Sequence, residues 1–252
     1  MGDLGKMAQG GFEVNAVAIT AYNNLELTQK AVESVCKQDI PVDLWLINNG
    51  STDGTQEWFE WFAYKTDISV QIVREEKNRS PIALANEVLP EIFKKHDYVL
   101  GVCNDTAIPT NLYSQLLRFP RGMVAAHMDC PVEDPPPCIA KMIHEDPHFS
   151  VMLLRKWAHD AIKEAYGSYY DERYFMYASD CDLKMRMREV GIRGCQTDIQ
   201  CWHWGSAAWR HPSVPESERR EMLAQADLDR DTFKLIWGFA IGSEEYDRRI
   251  RG

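Results

Sequence analysis

Three aspartates and one histidine stand where the local sequence can turn them to chemistry. Asn104-Asp105 follows directly on the apolar run 98–102. A carboxylate at the end of a buried strand sits where ligands bind in α/β sheets, and beside a diphosphate it can hold Mg2+ or Mn2+. A turn is the plainer setting for the same residue. Asp180 and Asp182 open a helical pattern that runs to Val190. Negative charge is favoured at a helix start, so capping accounts for one of them. The other, aimed into a cleft, would serve as a general base. The two lie about 200° apart around a helix of 3.6 residues per turn, so both cannot face one acceptor. His203, between Trp202 and Trp204, suits either a packed structural position or a metal shell. Two polar turns complete the set, Thr20-Ala21-Tyr22-Asn23 and Asn48-Asn49-Gly50-Ser51. Their backbone and short side chains suit a planar base and a ribose, and equally suit turns and caps.

A periodic pattern of elements must bring these groups together. Residues 14–20 form an apolar strand leading into a helix over 25–36, whose Leu27, Ala31, Val32 and Val35 share one face. Pro41 breaks the chain before a strand over 42–47. Asp53 or Thr55 then caps a helix that carries Trp58, Phe59 and Phe62. A strand over 69–73, a helix from Ser80-Pro81 to about Lys94, and a strand over 98–102 follow. This alternation predicts an α/β fold with a doubly wound, mostly parallel sheet flanked by helices, and ligands at the carboxyl ends of its strands. The second half is less regular. It reads as a Pro-rich loop over 130–138, a strand over 149–154, a helix over 156–165 and an aromatic-rich stretch over 169–177. A helix over 180–190 stopped by Gly191, an extended segment over 195–204, and helices over 216–229 and 230–239 follow. No repeat and no Gly/Ser-rich linker divides the chain.

Composition narrows the function classes. The 252 residues carry 38 acidic and 28 basic side chains, a net charge of −10, which disfavours broad nucleic-acid binding through phosphate neutralisation. Seven cysteines without a CxxC pair argue against a disulfide framework or a structural zinc and favour a reducing cytoplasm. No apolar run approaches the roughly 20 residues of a transmembrane helix, and residues 1–12 read as a flexible tail without the pattern of a secretory signal.

Taken in order, Ala18-Ile19-Thr20-Ala21-Tyr22-Asn23, Ile47-Asn48-Asn49-Gly50-Ser51-Thr52-Asp53-Gly54-Thr55, Asn104-Asp105-Thr106, the stretch 171–183 and the late His203 resemble family 2 glycosyltransferases of the GT-A fold. The likeness covers about residues 14–206. It implies a single domain over 13–252, with a nucleotide-sugar half (13–106), an acceptor and catalytic half (107–212) and C-terminal helices (213–252). It implies that Thr20, Ala21, Tyr22, Asn23, Asn48, Gly50, Ser51, Asn86 and Asn104 surround a nucleotide-sugar, that Asp105 and His203 hold Mn2+ or Mg2+, and that Asp180 is the catalytic base. Three positions depart from the family pattern. Asn48 stands where an aspartate is usual, Asn104 where many members carry a further acid, and Ser179 where a glutamate precedes the base. The implied reaction is inverting, metal-dependent transfer of a sugar from a nucleotide-diphospho-sugar, UDP-linked foremost, to a hydroxyl of a glycan, a glycolipid or another compound. The alternatives are a catalytically inactive nucleotide- or glycan-binding module of the same fold and a phage-type DNA-modifying sugar transferase, which the negative charge disfavours. A nucleotidyltransferase would want a Gly-rich basic loop after the first strand, and Ala21-Tyr22-Asn23-Asn24 offers none. Trp202, Trp204 and Trp209 suit a sugar-stacking platform or a core.

Overall fold

In the computed structural model, which describes residues 15–145, 147, 149–205 and 214–251, the first half follows the hydrophobic pattern closely. Its elements are β1 (Asn15–Ala21), α1 (Leu25–Cys36), β2 (Val42–Asn49), α2 (Thr55–Lys65), β3 (Ser69–Glu75), α3 (Pro81–Ile92) and β4 (Tyr98–Cys103). Strands β3, β2, β1 and β4 lie side by side and parallel, with Thr20 level with Ile47 on one side and Cys103 on the other. That register gathers the turns after β1, β2 and β4 at one edge of the sheet.

Side-chain alternation divides the core into two layers. Val17, Ile19, Leu44 and Leu46 pack with Ala31, Val32 and Val35 of α1 and Phe59 of α2. Ala16, Trp45 and Ile47 pack on the other face with Ile82, Val88 and Ile92 of α3. The expected apolar face of α1 is therefore the buried one. Ser80 caps α3 by accepting from the backbone N–H groups of Ile82 and Ala83, with Pro81 in the first turn where its missing N–H costs nothing.

The second half comprises β5 (Thr106–Ala107), α4 (Leu112–Leu117), β6 (Met123–His127), β7 (Met142–His144), β8 (Val151–Arg155), α5 (Lys156–Tyr166), α6 (Ser179–Glu189), β9 (Gly194–Gln200), β10 (Trp202–His203), α7 (Glu216–Trp237) and α8 (Glu244–Arg251). The sheet continues β4-β8-β6-β9-β7. Strand β8 runs antiparallel to β4 and β6, and β7 antiparallel to β9, so four of the seven pairings are parallel. The sheet is mostly parallel, with a mixed far side.

Several elements here depart from the sequence expectation. Strand β6 and helix α4 are too short for their periodicity to stand out. The two helices expected over 216–229 and 230–239 are one helix, α7, because no Gly or Pro interrupts Asp229-Arg230. Helix α7 ends at Gly238, whose φ of +78° is a left-handed cap. The tail over 1–12 and Trp209 lie outside the described residues.

Candidate functional site

The turns after β1 and β2 are tied to each other. Asn23 and Asn24 take left-handed φ values of +54° and +60°, which asparagine tolerates better than most residues. Asn23 N–H donates to Ser51 Oγ, and Asn23 Oδ1 accepts from the Thr52 N–H, both at 2.9 Å. Asp53 caps both following helices: Oδ2 accepts from the Leu25 N–H at 2.9 Å and Oδ1 from the Thr55 N–H and hydroxyl. Gly50 (φ +77°) is needed for a close approach, since a Cβ there would stand 2.3 Å from the Lys77 carbonyl carbon. It lets the loop after β3 fold against the loop after β2.

Asn48 and Asn49 are both buried and point to opposite faces of β2. Asn48 Nδ2 donates to Gln56 Oε1 at 2.8 Å, and its Oδ1 accepts from the Ser51 N–H at 2.9 Å. Both ends of its amide are thereby committed to the loop. Asn49 faces the larger cleft and binds Asn78 and the Arg79 backbone, so it positions the loop after β3.

Asp105 and His203 are brought together by a two-stranded ribbon. Strand β10 pairs antiparallel with β5, placing His203 level with Thr106, and the Trp204 N–H donates to the Asp105 carbonyl at 3.0 Å. His203 Nε2 then lies 3.2 Å from Asp105 Oδ1. One oxygen and one nitrogen donor face the cleft, a pair that suits a borderline divalent cation. Among the described residues no cluster of three or more His, Cys, Asp or Glu groups is placed to hold a metal.

The cleft encloses about 820 Å³ and carries Thr20, Tyr22, Asn104, Asp105, His203 and Asp180 on its walls. Its volume is within the roughly 300–1,000 Å³ of small-molecule sites. Helix α3 supplies an apolar side through Ala85, Val88 and Leu89. Cys103 lines the same cleft, and burial reinforced by the Asp105 charge pushes its thiol up to about 12, so it is a neutral wall group. Burial and the charge of Glu218 on α7 also raise the Tyr22 hydroxyl.

The two acids of α6 part company as the helical geometry requires. Asp180 lies on the cleft wall. Asp182, 1% exposed, accepts from Trp237 Nε1 at 2.9 Å and the Tyr174 hydroxyl at 3.3 Å, and pairs with Arg186 Nε at 2.6 Å. It is a structural group inside a buried network that includes Asp171.

Residues 16–123 match the family model described as glycosyl transferase family 2. No curated protein matches the sequence at a significant level. Among solved structures, residues 1–349 of S. aureus TarS share 15% identity at a TM-score of 0.56, covering 93% of this chain and 77% of that one. A mannosyltransferase from Pyrobaculum calidifontis, PcManGT, in complex with GDP-Man and Mn2+, shares 16% identity at 0.57, covering 95% and 81%. The chain has the GT-A fold of these glycosyltransferases. GalNAc-T7 with UDP, GalNAc and Mn2+ shares the fold at 11% identity and a TM-score of 0.58, covering 88% of this chain and half of its own.

Of the expected site residues, Thr20, Tyr22, Asn104, Asp105, Asp180 and His203 line the one cleft. Asn48 and Ser51 line a smaller polar pocket behind the loop after β2 instead. Ala21 is fully buried, and Asn23 and Gly50 shape the turns. Asn86 holds the aromatic stretch: its Nδ2 donates to the Tyr170 carbonyl at 2.9 Å and Glu172 at 3.0 Å, and its Oδ1 accepts the Tyr170 N–H. Trp202 and Trp204 meet edge to face at 6.5 Å, and neither is on the cleft wall. Sequence reasoning missed His127, which pairs with Asp129 at 2.7 Å on the cleft rim. The apolar run 123–126 ending in His-Met-Asp was the available signal.

Proposed function

We propose that the chain transfers a sugar, with inversion, from a UDP-linked donor to a hydroxyl acceptor, using Mn2+ or Mg2+ at Asp105 and His203 and Asp180 as general base. The observation that carries this reading is the 3.2 Å approach of Asp105 to His203 in the same cleft that Asp180 lines. With two protein donors among the described residues, diphosphate oxygens would complete the set. When bound, the cation supplies Lewis-acid stabilisation of the leaving nucleoside diphosphate. An imidazole in the set favours Mn2+ over Mg2+. The Mn2+ named with PcManGT and with GalNAc-T7 supports a divalent ion, and the UDP and UDP-GlcNAc named with TarS support a uridine donor.

The chain's own groups carry the rest. Thr20, Tyr22 and Asn104 form the donor wall. Asp180 accepts the proton of the acceptor hydroxyl as that oxygen bonds to the anomeric carbon and the bond to the diphosphate breaks. The acceptor is a glycan, a glycolipid or another hydroxyl compound, and the −10 charge disfavours a nucleic acid. Among the described residues no helix is long and apolar enough to cross a membrane. The odd number of cysteines and their lack of a CxxC pair support a reducing, cytoplasmic setting.

A thermal-shift screen of nucleotide-sugars with and without Mn2+ tests the proposal. At 100-fold excess over Kd a donor adds about 2.7 kcal/mol, or roughly 5–10 °C for a chain of this size. A shift with UDP-sugars only when Mn2+ is present is expected. No shift with any nucleotide-sugar would remove the proposal.

A further inference from the structure

The segment that delivers Asp180 to the cleft is held by a carboxylate from the far end of the chain. Asp229, on α7 and 1% exposed, accepts from three successive backbone N–H groups: Phe175 at 3.0 Å, Met176 at 3.0 Å and Tyr177 at 2.7 Å. Gln225 Nε2, one turn earlier on α7, donates to the same carboxylate at 2.9 Å. From the opposite side, the Ser80 hydroxyl at the start of α3 donates to the Phe175 carbonyl at 2.6 Å. The segment then turns through Ala178, whose φ of +59° is left-handed and unfavourable for a residue with a Cβ, and Asp180 follows two residues later in α6. A strained residue persists only where its surroundings over-determine it. Three charge-assisted bonds to one carboxylate are the surroundings that do so here.

Phe175, Met176, Tyr177 and Asp180 all line the cleft. We infer that Asp229 is a positioning residue for the acceptor side, fixing the 175–178 turn so that Asp180 meets the acceptor hydroxyl, and that α7 is therefore part of the catalytic apparatus. This rests on Asp180 being the base. Among the described residues the Asp229 carboxylate is bonded by the 175–177 backbone and by Gln225, all on the acceptor side, so its loss acts on turnover and spares donor binding.

The test uses the full chain with Mn2+ and a UDP-sugar, following transfer to water as release of free sugar. Asp229→Asn turns an amide NH2 towards N–H donors, Asp229→Glu restores a carboxylate, and Gln225→Leu removes only the supporting donor. In Asp229→Asn, hydrogen exchange at the Phe175, Met176 and Tyr177 amides should quicken. Turnover should fall about tenfold or more while the calorimetric Kd for UDP stays within about twofold. Asp229→Glu should recover part of the loss, and Gln225→Leu, which leaves the three bonds in place, should show the same pattern more weakly. In an Asp180→Asn background the Asp229→Asn change should add less than about twofold. Unchanged turnover, a full additional loss in that background, or a drop in UDP affinity equal to the drop in turnover would each overturn the assignment. Should Asp229→Asn fail to fold, Gln225→Leu decides by the same readouts. If Asp180→Asn itself turns over like the parent, it is the base assignment that fails, and the two failures are distinguishable.

Discussion

Asp182 and Asp180 are two residues apart, and the structure gives them opposite fates on substitution. Asp182→Asn keeps the shape and an acceptor for Trp237, but removes the charge that faces Arg186 at 2.6 Å. Arg186 is 5% exposed, so water cannot replace the lost partner. Breaking a buried pair typically costs about 3–5 kcal/mol. Asp171 also holds Arg186 at 2.6 Å and absorbs part of that. A net loss of about 2–4 kcal/mol follows, larger than the ~1 kcal/mol expected from a weakened first helical turn alone. Burial pushes the Asp182 carboxyl up and Arg186 opposes it, so the pair is held by geometry as much as by charge. Urea denaturation should show the midpoint falling by roughly 1 M at a slope near 2–3 kcal/mol per M. Residual turnover per folded molecule should stay close to that of the parent. An Asp182→Asn variant of parental stability would refute the reasoning, and one that is stable yet inactive would show that the roles of the two acids are reversed.

Further outcomes follow from the same geometry. Asp180→Asn should leave stability and UDP affinity nearly unchanged and cut turnover by roughly 10²–10⁴-fold in single-turnover assays; an active variant would exclude it as base. Asn48→Asp loses the donor to Gln56 and should cost about 1–2 kcal/mol, with UDP affinity within about threefold by calorimetry, because the amide is occupied in the loop; a large change in affinity would make it a base contact. His159 is 2% exposed between Phe93 and Tyr169, and burial depresses its pKa below 6.5, against the pull of Asp160. The unfolded chain therefore takes up a proton near pH 6.5 that the native state refuses, so stability present above that pH is lost as pH falls through the depressed native value. Urea midpoints between pH 7 and 5 should show the loss, and His159→Phe should flatten that part of the profile.

The first four strands were legible because buried parallel strands read as apolar runs, and their ends are marked by Asn, Gly and Ser turns. The separation of Asp180 from Asp182 was legible from helical pitch alone, although which acid would be buried was not. Strand alternation already placed Asn48 and Asn49 on opposite faces, but the resemblance drew attention to Asn48, whose amide the fold spends on Gln56 and Ser51. Asp229 was invisible for a different reason. An acid in a polar helix carries no local signal when its partners are backbone N–H groups 52–54 residues away. The pairing of Asp105 with His203 depends on the short ribbon of β5 and β10, which no periodicity marks.

The most direct test of the donor-and-metal reading is calorimetric titration of a UDP-sugar into the parent and Asp105→Ala, each with Mn2+ and with chelator. Asp105 is 6% exposed and its carboxylate pairs with His203, so the variant should lose roughly 1–3 kcal/mol, and titrations are made at a temperature where its melting curve shows it folded. The account predicts tight, Mn2+-dependent binding by the parent, at least about tenfold weaker without the ion, and binding by Asp105→Ala that is weak and insensitive to it. Parental affinity in Asp105→Ala with Mn2+ present would contradict the account at its centre.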